Sequence, residues 1–281
     1  MMKVILMGIL LLLMNSGSAD EFSEKQARAY LENSTSDWKS HLDESVRHIE
    51  SANPRIKGSW EELDSLVNEE GAFPIWRLTR AKNENESADF NMWLQHKVLA
   101  AAADGRYSYI YAGNLMKAAK GNDNDMAQAA VMLIHGRLAL HLDSAKCNDR
   151  IDVANIMIAY ESQLKPLNQW LGKQSKLKMA EILLSAASIE EARKTRTPKA
   201  WLCRRGLKAM MNAMADDKNV SETTIQPGTI AGKNYAVDTS KIPVEYISDS
   251  DWDERRRQII DGIIQTAVRT ASIPVSPLSA R

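Results

Sequence analysis

The stretch Val153–Leu171, VANIMIAYESQLKPLNQWL, decides the fold. Its large apolar residues Val153, Met157, Tyr160, Leu164, Leu167 and Leu171 recur at alternating intervals of four and three. A side chain returning every 3.6 residues lies on one stripe of an α-helix, whereas a half-buried strand repeats every two. Pro166 has no amide hydrogen for the preceding turn, so the helix should kink or divide there. Asn148 or Asp149 is the expected N-cap.

The same period runs outward in both directions. Asp125 opens a strongly apolar helix through Met132, Leu133, Leu138 and Leu142. Tyr107, Tyr111 and Leu115 mark one face of a helix ending before Gly121. Ser87 caps a run from Ala88 to Ala103 carrying Phe90, Trp93, Leu94, Val98 and Leu99. Ser59-Trp-Glu-Glu62 is a capping box for a helix to about Glu70, closed by Gly71, and Phe73-Pro74 restarts the chain. Further helices are expected over Leu177 to Ala192 and, after Thr197-Pro198, over Lys199 to Ala215. The last runs from about Ser250 to Ala271, with Trp252, Ile259, Ile260, Ile263, Ile264, Ala267 and Val268 on one face. Roughly eight to ten helices follow, joined by short polar turns. Short links favour antiparallel neighbours. The expected fold is therefore all-α, a multi-helix array of antiparallel helical hairpins forming a bundle or short solenoid. No fixed repeat period is present, and the tetratricopeptide pattern is missing.

Asn219–Ile247 breaks the helical pattern, being rich in β-branched and turn residues. It reads as an irregular strap before the C-terminal helix, able to hold a small hairpin turning at Gly232-Lys-Asn234. Connections this long are often functional. The expected organisation is a signal peptide over 1–19, a helical domain over 20–218, the strap over 219–248, a docking helix over 249–273 and a disordered tail over 274–281.

The signal-peptide assignment comes from three features. Met1 to Lys3 is a short basic start, Val4 to Met14 (VILMGILLLLM) an unbroken apolar run, and Asn15 to Ala19 a small, polar segment with a small-x-small site before Asp20. The apolar run is shorter than the roughly 20 residues that span a bilayer. No Cys follows it, which argues against a lipid anchor. The mature chain is expected to be soluble, in the periplasm or outside the cell. There the two cysteines, Cys147 and Cys203, are expected to form a disulfide. Cys203 also lies on an apparent apolar face with Ala200, Leu207, Met210 and Met214. Asn33, Asn85 and Asn219 begin N-glycosylation sequons, which matter only in a eukaryotic source.

Formal net charge is zero, so no global attraction to nucleic acid or acidic lipid is implied. The charge is unevenly spread. Asp20–Glu70 holds thirteen acidic and six basic side chains, and Lys165–Lys208 eleven basic and three acidic. The densest basic residues are Arg193, Lys194, Arg196, Lys199, Arg204, Arg205 and Lys208. They read either as a solvated or internally paired face or as a docking surface for an anionic partner.

Catalytic signatures are sparse. His41, His48, His96, His135 and His141 have no metal-ligand spacing, and HExxH, GxSxG and strand-linked glycine loops are missing. No metal or cofactor is expected. One fragment, Ile158-Ala-Tyr-Glu-Ser-Gln-Leu-Lys-Pro166, resembles the catalytic segment of the lytic transglycosylases. That resemblance implies Glu161 as a general acid/base cleaving peptidoglycan, with Ser162, Leu164 and Pro166 at matching positions. It covers nine residues, and the family's following Gly-Leu-Met-Gln segment is replaced by Gly172-Lys-Gln-Ser. Glu161 also stands four residues before Lys165, the orientation of a favourable helix ion pair. The scattered Trp60, Trp76, Trp93, Trp170, Trp201 and Trp252 read as core anchors. The leading expectation is a non-enzymatic binding, adaptor or assembly factor with a protein partner in the envelope or extracellular space. The alternatives are the Glu161 transglycosylase-like enzyme and a carrier or docking protein for an anionic lipid or polymer.

Overall fold

The computed structural model describes residues 22–51, 84–99, 104–149, 151, 153–193, 196–197, 199–223, 234–238 and 242–272. The leader, the expected helices at Ser59–Glu70 and after Pro74, Trp60, Trp76, Lys194 and the C-terminal tail lie outside these residues.

The all-α expectation holds. The helices are α1 (Glu24–Ser51), α2 (Glu84–Leu99), α3 (Gly105–Ala119), α4 (Asp123–Ala145), α5 (Ala154–Glu161), α6 (Lys165–Leu171), α7 (Lys176–Arg193), α8 (Ala200–Cys203), α9 (Leu207–Met214) and α10 (Asp249–Ser272). Pro166 sits in the first turn of α6, and a 3₁₀ turn at Ser162–Leu164 separates α5 from α6, so the proline divides the helix as expected. The cap of α5 differs from expectation. Val153 occupies the N-cap position without a side-chain hydrogen bond, and Asp149 is used elsewhere. The stretch Lys199–Ala215 is also not one helix, because a turn at Arg204–Gly206 separates α8 from α9.

Helix α4 is the centre. It is apolar on nearly every side, which suits a helix surrounded by others. One flank packs on α3, and a wide core of Trp38, Trp93, Leu94, Tyr109, Ile110, Leu133, Leu167 and Ile189 fills that side. The helices α3 and α4 touch where Gly105 meets Gly136, a crossing with no space for a Cβ on Gly105. The other flank offers Leu138 and Leu142 to a second core, shared with Ala27 and Leu31 of α1, Leu184 of α7, and Trp252, Ile260 and Ile264 of α10. Trp93 and Trp252 are the buried anchors that the sequence suggests, while Trp170 and Trp201 are only partly buried.

The strap contains a hairpin of β1 (Val220–Thr223) and β2 (Asn234–Val237), antiparallel, with Val220 opposite Val237 and Thr223 opposite Asn234. Asn234 pairs with Thr223 at the end of the ladder, and the expected turn residues Gly232 and Lys233 lie outside the described residues. No described helix is long and apolar enough to cross a membrane.

Candidate functional site

The eight-residue helix α9 is too short to persist alone in water. Its position is imposed from outside. Cys147 and Cys203 form a disulfide, with Cα atoms 5.2 Å apart, tying the chain just before α9 to the end of α4. Asp149 Oδ2 accepts the backbone N–H groups of Lys208 at 2.7 Å and Ala209 at 3.2 Å. A carboxylate from a distant segment thus caps α9. Gly206 is required beside it, since a Cβ there would overlap the Asp149 carboxylate. Glu245 Oε2 accepts from Lys208 Nζ at 3.0 Å and from Asn148 Nδ2 at 2.9 Å. The strap backbone joins in, with Asn148 N donating to Glu245 O, Ile247 N to Lys146 O, and Cys147 bridging Tyr246.

We expect Asp149→Ala to lower stability by about 1 kcal/mol, the usual cost of losing an N-cap. Gly206→Ala should cost more, about 1–3 kcal/mol, because the new methyl displaces that cap. Urea unfolding followed by circular dichroism measures both. Equal stability of the Gly206→Ala protein and the native chain would show that the close approach is not needed.

What α9 presents is unusual. Ala209 and Ala213 face the body, whereas Leu207 is 68% exposed, Met210 42%, Met211 62% and Met214 57%. These four are spaced i, i+3, i+4, i+7, so a complete apolar stripe points into solvent. Sequence periodicity groups Leu207, Met210 and Met214 with Cys203. The turn at Arg204–Gly206 reorients the chain, burying Cys203 and turning the other three outward. Contiguous exposed apolar surface of a few hundred Å² marks interaction sites, and methionine suits such surfaces because its side chain adapts in shape. Exposed Arg205 stands just before the stripe and exposed Asp216 just after it.

The basic stretch does not form one surface. Arg205 and Lys208 are exposed, and Lys199 and Arg204 are half-buried. The Arg193 and Arg196 side chains, by contrast, are 4% and 1% exposed. Their partners are internal. Arg196 Nε and NH2 donate to the two oxygens of Asp143 at 2.8 and 3.0 Å, and NH1 donates to Glu190 Oε1 at 2.7 Å. The Lys146 ammonium donates to the Arg196 carbonyl. Burial works against the Arg196 charge, but the two carboxylates outweigh it and raise its pKa. Burial likewise opposes ionisation of Glu190, yet Arg196 and His135 hold its pKa well below the ordinary carboxylate value.

The Glu190 carboxylate also accepts from His135 Nε2 at 2.6 Å, while His135 Nδ1 accepts the Ser108 hydroxyl at 2.8 Å. The acceptor-only carboxylate fixes that tautomer. Ser108, His135 and Glu190 have the composition of a nucleophilic triad, but each is at most 1% exposed. No substrate carbonyl reaches a hydroxyl so deeply enclosed, so the trio satisfies buried polar groups. Nearby, Asp104 caps α3 through Arg106 N and pairs with the Arg106 guanidinium, which stacks 3.6 Å over Trp201.

Burial lowers the His135 pKa against the opposing pull of Glu190. Folding therefore favours the neutral ring, and the unfolded chain binds the extra proton once pH falls below its ordinary value of about 6.5. The stability contributed by neutral His135 is complete above pH 6.5 and is lost as pH falls through the depressed folded value. His141, also lowered by burial, acts with the same sign. We expect unfolding free energy to drop as pH falls below about 6.5, partly offset by Asp143 and Glu181, whose pKa values burial raises and which therefore act with the opposite sign, and His135→Gln to flatten that slope. An identical slope in the variant would remove His135 as the cause.

Glu161 is half-buried and occupied. Arg137 Nε donates to its Oε1 at 2.7 Å and NH2 to its Oε2 at 2.8 Å, and Tyr109 OH lies 3.4 Å from Oε1. Its ion partner is thus Arg137 from α4 rather than Lys165 one turn on. Such a bidentate clamp leaves neither oxygen aimed at a sugar. A small cavity of about 20 Å³ lies elsewhere, among Trp38, His41, Gln95, Tyr111 and Gln128, with space for one water. Among the described residues, no three His, Cys, Asp or Glu side chains converge as a metal set. The chain matches no protein family, no curated protein and no solved structure.

The α9 face, the remote cap and the buried ion network were not read from sequence. The stripe itself was visible, and the Arg-Arg-Gly step before it was the available sign of a change in direction.

Proposed function

We propose that this protein is an exported, non-enzymatic binding factor of the periplasm or extracellular space, working through the α9 face. The observation that carries this is the solvent-facing stripe Leu207, Met210, Met211 and Met214 on a helix held in place by a disulfide and a remote cap. An apolar stripe on a loosely attached segment would turn inward or fray. Here external anchors keep it presented, which is the physical pattern of a docking element. Export is supported by the three-part leader at Met1–Ala19 and agrees with the Cys147–Cys203 disulfide. Glycan cleavage by Glu161 has less support, because Arg137 engages both carboxylate oxygens. Docking of an anionic lipid or polymer by the basic stretch is also weakened, since Arg193 and Arg196 are spent inside the core.

The test is a photoreactive amino acid at Met211, compared with the same residue at exposed Gln169 on α6. Illumination of intact cells should give covalent adducts in the exported fraction from position 211 and not from 169. Equal yields at both positions, or none at 211, would overturn the proposal.

A further inference from the structure

The α9 stripe has the symmetry of a self-complementary surface. Its members lie at 207, 210, 211 and 214, a spacing that reads the same in both directions. A two-fold axis between Met210 and Met211 lays α9 antiparallel on a second α9. Met210 then faces the second copy's Met211, and Leu207 faces its Met214. Such an interface is isologous, each contact occurring twice.

The charges at the two ends follow the same axis. Arg205 and Asp216 are both exposed and lie two residues outside the stripe on opposite ends. The axis that pairs Leu207 with Met214 of the second copy also sets Arg205 against its Asp216. A segment with a cation before its helix and an anion after it is complementary to itself only when antiparallel. All three charges near the stripe have contacts within their own chain: Lys208 with Glu245 at 3.0 Å, Asp216 Oδ1 accepting from Lys218 N at 3.1 Å, and Arg205 lying 5.6 Å over the Trp201 ring, so pairing of Arg205 with Asp216 across the axis adds to these contacts.

We propose that α9 is a homotypic contact, and that the occupant of this face is a second copy of the chain in antiparallel register. This rests on the reading of α9 as a contact face. Four exposed side chains on one eight-residue helix make a smaller patch than the about 800 Å² per partner of a standard interface. Association is accordingly weak and reversible, with a dissociation constant of about 10–100 µM. A contact this weak is made when copies are brought close together, on a shared envelope partner or at high local concentration.

Sedimentation velocity of the purified, disulfide-intact protein from about 10 µM to 1 mM tests it. Concentration-dependent dimerisation is expected. Met211→Glu should weaken it at least tenfold, by placing like charges beside the axis. Arg205→Asp and Asp216→Arg should each weaken it about tenfold, and the combined Arg205→Asp/Asp216→Arg protein should recover it to within about threefold. All three substituted positions are exposed, and circular dichroism confirms folding of the four variants. A protein that stays monomeric to 1 mM overturns the proposal, and so does failure of the charge-swapped pair to recover. Monomeric protein whose Met211 photoadducts contain another protein or a lipid would leave the contact face standing with a different occupant. Absence of both adducts and dimers would remove the contact face itself.

Discussion

Replacing Arg196 by methionine is expected to lower the unfolding free energy by about 3–5 kcal/mol, the cost of breaking a buried ion pair from one side. The guanidinium is 1% exposed and donates charged hydrogen bonds to both oxygens of Asp143 and to Glu190. Methionine matches its length but leaves the 0%-exposed Asp143 carboxylate without the fork that occupies both its oxygens. A buried charge in that state either takes a proton or admits water, and either outcome costs stability. The loss spreads. Glu190 also serves His135, and His135 serves Ser108, so loosening Glu190 disturbs contacts joining α3, α4 and α7. The midpoint of thermal unfolding should fall by roughly 10 °C or more. Urea unfolding at pH 7.5 gives the free energy directly. A change below about 1 kcal/mol would show that the network is not fully desolvated. Removing Arg196, Asp143 and Glu190 together with apolar residues should cost less than removing Arg196 alone, because no orphan charge remains.

That network also marks the limit of what could be read in advance. Arg193 and Arg196 sit in a run of basic residues, and by local pattern such a run faces water. Their carboxylate partners are Asp143, 53 positions away from Arg196, and Glu190, which itself ends a helix of ordinary amphipathic appearance. The Glu190 partner is local, three residues from Arg193 and six from Arg196, but the Asp143 pairing across 53 positions leaves no local trace. Glu161 repeats the lesson, since its partner Arg137 is 24 positions away, while the nearby Lys165 looked the natural one. Long periodic helices were legible. The expected bounds of α7 and α10 fall within a residue of those observed, because apolar side chains at 3.6-residue spacing fix both the phase and the buried face. Helix α1 was not located, for a different reason. Its buried seam is Ala27, Leu31, Ser34 and Trp38, and two of those four are too small or too polar to register as apolar. The only local sign of the break before α9 is Gly206, a weak one, because Arg204 and Arg205 are both compatible with helix. The Asp149 carboxylate and the disulfide impose it from elsewhere in the chain.

Removing the Cys147–Cys203 bridge, by Cys147→Ser/Cys203→Ser, should cost about 4 kcal/mol and should also disable the α9 face. The two cysteines are 56 positions apart, and closing a loop of that length restricts the unfolded chain by this amount. Both side chains are buried at 1% and 3% exposure, so the serines would in addition place hydroxyls among apolar neighbours. The effect on α9 is more specific. Asp149 lies two residues beyond Cys147, and Gly206 three residues beyond Cys203, so the bridge is what holds the remote cap within reach of the helix it caps. Without the bridge, α9 is held by the cap, the Glu245–Lys208 pair and the small buried face of Ala209 and Ala213, and exposed ion pairs contribute at most about 1 kcal/mol. Helix α9 is then expected to fray before the body unfolds. Hydrogen exchange of the Lys208 and Ala209 amides reads this directly, since both donate to Asp149 in the native protein. Protection at these amides should vanish in the double-serine variant while protection in α4 persists. Retained protection at both would mean that the cap alone holds α9, and the disulfide would then stabilise the fold without presenting the face.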